Sequence, residues 1–261
     1  MLFRSVAVVA PNAGVALVDV WRNDGNGAFG SRASFPTGNT PNSVAIADFT
    51  GDGLADIAVA NRFILGATAN SDGTVTLLRN TGAAFVTHAT LTMPQNTGPF
   101  GVMRPRPWDL ALCDTDHDGD QDLIVSSDDS QRLDLFLNNG AGVFSLRGAI
   151  GTGYYLGSAA ARFVVADLDA DGWEDIAWGD TEANAASIYL NRRDGSFRYF
   201  ASYAPGNYAG KSLAVADFDQ DGLNDLVSSN DAARTFFIAR GTGGRLGIFG
   251  ALLHSLMPKV A

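Results

Sequence analysis

Apolar and polar residues alternate with a period of two along most of this chain, in short runs interrupted by Gly, Asn and Asp. Between Ser43 and Leu91 the runs SVAIAD, DIAVAN, GTVTLLRN and FVTHATL succeed one another. Successive strand residues point to opposite faces of a sheet, so each run predicts a strand, here A, B, C and D. Strand A shows a finer regularity in four copies. Large side chains stand two and four residues before an Asp (Ile46 and Val44, Leu112 and Leu110, Val165 and Phe163, Val215 and Leu213). Mostly small ones stand one and three residues before it (Ala47 and Ala45, Cys113 and Ala111, Ala166 and Val164, Ala216 and Ala214). One bulky and one small face suit strands crowded about an axis between neighbouring sheets. No stretch carries apolar residues at helical period with caps, so the chain is predicted to be all-β.

The strands repeat with an acidic loop. Asp48 to Asp56 (DFTGDGLAD), Asp114 to Asp122 (DTDHDGDQD), Asp167 to Asp175 (DLDADGWED) and Asp217 to Asp225 (DFDQDGLND) share one nine-residue design, at steps of 66, 53 and 50 residues. Such a period points to a propeller or solenoid. A second repeated feature is a Gly- or Asn-rich turn before Phe29, Phe85, Phe144, Phe197 and Phe249, which reads as a hairpin between strands C and D. The expected architecture is a single β-propeller domain over 1–261, built from four-stranded antiparallel blades. Four blades are full (43–94, 109–150, 163–205 and 212–257), and a partial N-terminal blade spans 5–40. That first blade offers counterparts of strands B and C without a strand A or its loop, so the expectation is either a five-blade ring or crescent or a larger propeller truncated at Met1.

The loops carry the chemistry. Carboxylates at positions 1, 5 and 9, with a further oxygen at position 3, can converge on one hard cation. Calcium accepts six to eight oxygen ligands in irregular geometry. Position 6 is glycine in every copy (Gly53, Gly119, Gly172, Gly222), as a chain wrapping an ion needs a turn with positive φ. An EF-hand is excluded: it needs a Glu at position 12, and here position 12 is Val59, Val125, Trp178 and Ser228, each within a strand run. The loops also explain the charge. They hold 17 of the 28 acidic residues behind the net charge of −10, and four calcium ions would bring it to about −2. Nucleic-acid binding, which needs a basic stripe, is not expected. Nor is membrane insertion, because no apolar run is long enough to span a bilayer.

In order and spacing these motifs resemble the FG-GAP and VCBS-type repeats of calcium-binding β-propellers, a group that includes integrin α-chain heads and propeller lectins. The resemblance runs from about Ser5 to about Leu256. It implies that positions 1, 3, 5 and 9 bind calcium together with the position-7 carbonyl. The first site would use Asp48, Thr50, Asp52, Leu54 and Asp56; the second Asp114, Asp116, Asp118, Asp120 and Asp122. The third would use Asp167, Asp169, Asp171, Trp173 and Asp175; the fourth Asp217, Asp219, Asp221, Leu223 and Asp225. Thr50 replaces an acid, so the first of the roughly four calcium sites is expected to be the weakest.

Calcium sites of modest affinity fill outside cells rather than in a resting cytosol, so an extracellular or cell-surface location is expected. No catalytic constellation is visible: His88, His117 and His254 stand at non-equivalent places, and Cys113 fills a position that is Ala elsewhere. The expected activity is recognition of a glycan or an extracellular protein. The alternatives are a fragment of a carbohydrate-active enzyme resembling the polysaccharide lyases, or an integrin-like adhesion head. Specificity is sought in two departures from the repeat, Arg62 to Asp72 and Gln95 to Trp108. In the latter, packing of Trp108 against a neighbouring blade is weighed above ligand contact.

Overall fold

A computed structural model describes residues 5–9, 16–23, 28–62, 73–98, 101–103, 105–127, 132–151, 162–180, 185–203, 209–230, 235–242 and 249–256. The regular elements among them are all strands. β1 (Ser5–Val9), β2 (Leu17–Asn23) and β3 (Phe29–Pro36) form a three-stranded sheet. Four four-stranded sheets follow, each in sequence order. The first holds β4 (Pro41–Ala47), β5 (Asp56–Asn61), β6 (Thr74–Asn80) and β7 (Phe85–Thr92). After a short hairpin of β8 (Asn96–Gly98) and β9 (Gly101–Met103) comes β10 (Pro107–Cys113), β11 (Asp122–Ser127), β12 (Arg132–Leu137) and β13 (Ser145–Ile150). Then come β14 (Phe163–Ala166), β15 (Asp175–Asp180), β16 (Ala185–Asn191) and β17 (Phe197–Tyr203). The last sheet is β18 (Ala209–Ala216), β19 (Asp225–Asn230), β20 (Thr235–Gly241) and β21 (Phe249–Leu256). No described helix is long and apolar enough to cross a membrane.

The chain divides into two compact units, Met1–Leu112 with Gly119–Gly157 and Cys113–Asp118 with Ser158–Ala261. Within each, the alternation along the first strand decides the packing. In the first unit Val44 lies with Val18, Val20, Ile57, Val59 and Leu78 against the three-stranded sheet. The small Ala45, on the opposite face, lies with Ala58, Ala60, Val75 and Leu77 against Leu110, Leu112, Leu123 and Val125 of the following sheet. In the second unit Leu213 and Val215 pack onto Ala177, Ala186, Ile188 and Leu190 of the preceding sheet, whose Val164 and Ala166 join the same cluster. The bulky face thus meets the sheet before, and the small face lets the sheet after approach. Ile46, beside the loop, is the exception at 43% exposed.

A further regularity was not read from the sequence. In each of the five larger sheets the pairing of the last two strands shifts register, at Trp21/Asn23, Leu77/Leu78, Leu135/Phe136, Ile188/Tyr189 and Ala239/Gly241. A bulge increases local twist, so each outer strand turns away at the same height in its sheet.

The described part of the long connection Gln95 to Trp108 contains β8 and β9, paired Asn96↔Met103. Trp108 carries the Arg62 guanidinium over its ring at 4.8 Å, so its side chain meets the end of the preceding sheet, and its carbonyl accepts from the Asn42 amide at 2.5 Å. Phe100, Arg104 and residues 63–72 lie outside the described residues, as do 1–4 at the amino terminus.

Candidate metal centres

Each acidic loop joins the first two strands of its sheet: β4 to β5, β10 to β11, β14 to β15 and β18 to β19. The position-1 carboxylate organises the turn. Asp48 Oδ1 accepts the N–H groups of Gly51 (2.8 Å) and Asp52 (3.2 Å), and its Oδ2 that of Gly53 (2.7 Å). Asp167 accepts from Asp171 (3.1 Å) and Gly172 (2.9 Å), and Asp217 from Asp221 (3.1 Å) and Gly222 (2.9 Å). The position-6 glycines have φ of 82° to 94°. A Cβ there would meet nothing within 4 Å, so glycine is required for its backbone and not for space. Position 4 is also left-handed: Gly51 in the first loop, but His117, Ala170 and Gln220 in the others, at φ 58° to 63°.

The position-9 carboxylates, Asp56, Asp122, Asp175 and Asp225, are fully buried. One oxygen of each accepts a backbone N–H from the end of the third strand: Asn80 (2.7 Å), Asn138 (2.9 Å), Asn191 (2.8 Å) and Gly241 (2.8 Å). The other oxygen reaches back to the start of the loop, accepting the N–H of Thr50 (3.1 Å), Leu168 (3.1 Å) and Phe218 (3.0 Å) in the first, third and fourth copies. This residue therefore ties loop to sheet before any ion is considered.

Asp114, Asp116 and Asp122 bring one oxygen each to within 4.8 Å of one another, as do Asp167, Asp169 and Asp175, and Asp217, Asp219 and Asp225. Positions 1, 3 and 9 thus converge in the last three loops. Position 5 is placed differently. Asp52 and Asp171 turn an oxygen onto the guanidinium of Arg79 (2.9 Å) and Arg193 (3.1 Å), and their other oxygen accepts the N–H of Leu54 (3.0 Å) and Trp173 (2.9 Å). Asp221 accepts likewise from the N–H of Leu223 (2.9 Å). Asp118 and Asp120, the remaining acids of the second loop, lie outside its gathered triad.

The donor set fits a hard divalent cation. It is all oxygen, without the His or Cys that transition metals favour. Asp116 Oδ1 and Asp169 Oδ1 are buried and receive no hydrogen bond, a costly state for a carboxylate unless something positive meets it. Burial, reinforced by neighbouring carboxylates, pushes both groups above the usual range. Burial pushes Asp175 up to about 7 against the hydrogen bonds from Asn191 and Leu168, and Asp134, paired with Arg132 on β12, up to about 6. Bound calcium would supply the missing positive charge and clamp the two strands that flank the loop. It would serve cohesion there.

A pH dependence follows. Both folded-state values lie above the ordinary 3.8, so these groups stabilise the calcium-free fold below about pH 4 and lose that contribution as the pH rises through about 6 and 7. A calcium ion bound there would have to displace the proton on Asp175, so its affinity would rise over the same interval. The calcium-free protein is expected to melt higher at pH 5 than at pH 7.5, and the calcium-induced shift to be larger at pH 7.5. Thermal melts at the two pH values, with calcium or chelator, check both signs.

The residues that sequence reasoning missed are Asn138 and Asn191. Besides donating its N–H to position 9, each extends its amide to a position-2 carbonyl of the preceding loop, Asn138 to Phe49 (2.8 Å) and Asn191 to Thr115 (2.8 Å). Each also bonds the position-8 carbonyl of its own loop, at Gln121 (3.1 Å) and Glu174 (3.2 Å). In the last sheet Gly241 takes that place, and Asn224 spans instead to the Asp167 carbonyl (2.8 Å). The available signal was an Asn 16 residues beyond Asp122 and Asp175, at the end of the third strand run. Of the histidines, His117 stacks on Trp173 at 3.8 Å between centroids, and His88 lies exposed on β7 beside Phe49. His254 is on β21, and its side chain lies outside what is described.

The FG-GAP-like repeat matches residues 6–59, 114–178 and 167–228, together more than half of the chain. The chain belongs to the FG-GAP-like repeat family. Among solved structures it is similar to an Agrocybe aegerita lectin described as recognising non-reducing terminal N-acetylglucosamine. The identity is 19% and the TM-score 0.55, over 97% of this chain and 66% of that one. It is also similar to a Lactobacillus plantarum protein, at 16% identity and TM-score 0.61, over 98% of this chain and 68% of that one. The chain thus spans about two thirds of the length of each. At these identities the likeness is one of fold, and it agrees with sheets of the propeller type. No curated protein matches by sequence.

Proposed function

We propose that this FG-GAP-like chain is an extracellular or cell-surface binding module, a calcium-stabilised β-propeller that presents its inter-strand loops to a glycan. The observation that carries the calcium part is the convergence of three carboxylates in each of three equivalent loops, with buried, undonated oxygens in two of them. The glycan part is supported by the fold shared with the Agrocybe aegerita lectin. In this reading the blades are the four four-stranded sheets with the three-stranded one, and the metal is structural.

Carboxylates committed to calcium or to backbone N–H groups are not available as general acids, which favours recognition over catalysis. A glycan array probed with the calcium-loaded chain, beside a polysaccharide depolymerisation assay, tests the proposal. Retention on defined glycans without product release is expected. Product release would point instead to a carbohydrate-active enzyme, and binding to extracellular proteins without glycan retention to an adhesion head.

A further inference from the structure

The first loop differs from the others in ways that act together. Where the others have Asp at position 3, it has Thr50, whose hydroxyl donates to Asp56 Oδ2 at 3.0 Å while its N–H donates to the same oxygen at 3.1 Å. Asp56 Oδ1 is taken by Asn80 N–H. At position 5, Asp52 receives Arg79 through both Nε (3.2 Å) and Nη2 (2.9 Å) on Oδ2, and Leu54 N–H on Oδ1. Asp48 receives three backbone N–H groups on its two oxygens. Every carboxylate oxygen of this loop therefore has a donor from the chain itself. Among the described residues the gathered triads are those of the other three loops, two of which include a buried oxygen with no donor.

From this we infer that the first loop is closed by the chain's own groups, the Thr50 hydroxyl and the Arg79 guanidinium standing in for a cation, so that the protein binds three calcium ions and not four. The inference rests on the calcium reading proposed above. A calcium ion entering the first loop would have to displace a two-pronged guanidinium and break the Thr50–Asp56 hydrogen bond. It would then find three carboxylates where the second loop offers five. The second sheet has no arginine at the places of Arg79 and Arg193: Leu137 precedes Asn138, and Gly140 follows it by two. The third and fourth loops are intermediate. Their triads are intact, yet Arg193 holds Asp171 as Arg79 holds Asp52, and Arg240 holds the triad's own Asp219 at 3.2 Å. Arg193 thus competes with calcium for a position-5 ligand.

The consequence is an uneven response to calcium. The β4–β5 connection stays formed when calcium is withdrawn, while the loops from β10 to β11, β14 to β15 and β18 to β19 loosen. Equilibrium dialysis with elemental analysis is expected to count three calcium ions per chain. The double variant T50D/R79L is expected to raise the count to four, and Arg193→Leu to tighten one of the three sites by roughly two- to fivefold, the factor a half-exposed ion pair is worth. Hydrogen–deuterium exchange on the unaltered protein does not depend on those variants folding. Chelation is expected to leave amides 48–56 protected while amides 114–122, 167–175 and 217–225 exchange faster. A count of four, or equal loss of protection in all four loops, overturns the inference and leaves the calcium reading standing. A count of zero overturns both.

Discussion

Excess EDTA added to the calcium-loaded chain is expected to lower its melting temperature by roughly 15–30 °C. At a calcium concentration 100-fold above its dissociation constant, each independent site stabilises the fold by about 2.7 kcal/mol. Three such sites would supply about 8 kcal/mol, comparable to the whole stability of an ordinary domain. The size of the effect comes from what chelation leaves behind. In the third loop Asp167, Asp169 and Asp175 keep their oxygens within 4.8 Å of one another, and the Asp169 oxygen still has no donor. Protonation of Asp175, pushed up to about 7 by burial, relieves only part of that repulsion. Magnesium, which demands near-octahedral geometry at short distances, is expected to restore much less than calcium. Differential scanning calorimetry with calcium, magnesium or chelator makes the comparison. An unchanged melt, together with no calcium by elemental analysis, would remove the metal from the account.

What the sequence made legible was the part encoded locally. The two-residue phase of Val44, Ala45 and Ile46 and its copies is a property of adjacent residues, and it marked both the strands and the faces on which Val44 and Ala45 pack. The position-6 glycines were legible for the same reason, since a positive φ belongs to one residue. Contacts across the chain were not. Asn138 and Asn191 act on Asp122 and Asp175 from 16 residues away, and on the Phe49 and Thr115 carbonyls from 89 and 76. No periodicity within one strand signals such a partner. The same holds for the arginines. Arg79 reads as an exposed strand residue until the fold lays it over Asp52, 27 positions earlier. Position 5 was therefore assigned from the loop spacing and the family resemblance, whereas the structure places Asp52 and Asp171 on arginine. The β8–β9 hairpin was obscured by Pro99 and Gly98, which mark a break without showing that short extended segments flank it.

Asp175→Ala is expected to destabilise the protein by roughly 2–6 kcal/mol whether or not calcium is present, whereas Asp169→Ala should matter only when calcium is there. The two carboxylates lie in one triad, but the chain uses them differently. Asp175 is buried and accepts the N–H groups of Asn191 at 2.8 Å and Leu168 at 3.1 Å. Alanine would orphan both donors in the interior, at about 1–3 kcal/mol each. It would also cut the link by which β16 holds the loop between β14 and β15. Asp169 brings no such bond on its buried oxygen, and burial, with the neighbouring Asp171 and Asp167, makes its charge unfavourable. Removing it from the calcium-free protein is expected to leave stability unchanged or slightly higher, while one calcium ion is lost. Asp175→Asn separates the two roles of position 9, because the amide keeps one acceptor for Asn191 N–H and loses the one for Leu168. Its stability is expected to fall between those of the aspartate and alanine forms. Urea melts of the unaltered protein and the three variants, in calcium and in chelator, give the eight values needed. If Asp175→Ala costs stability only in calcium, position 9 is a ligand and nothing more, and its hydrogen bonds to β16 carry no weight in the fold.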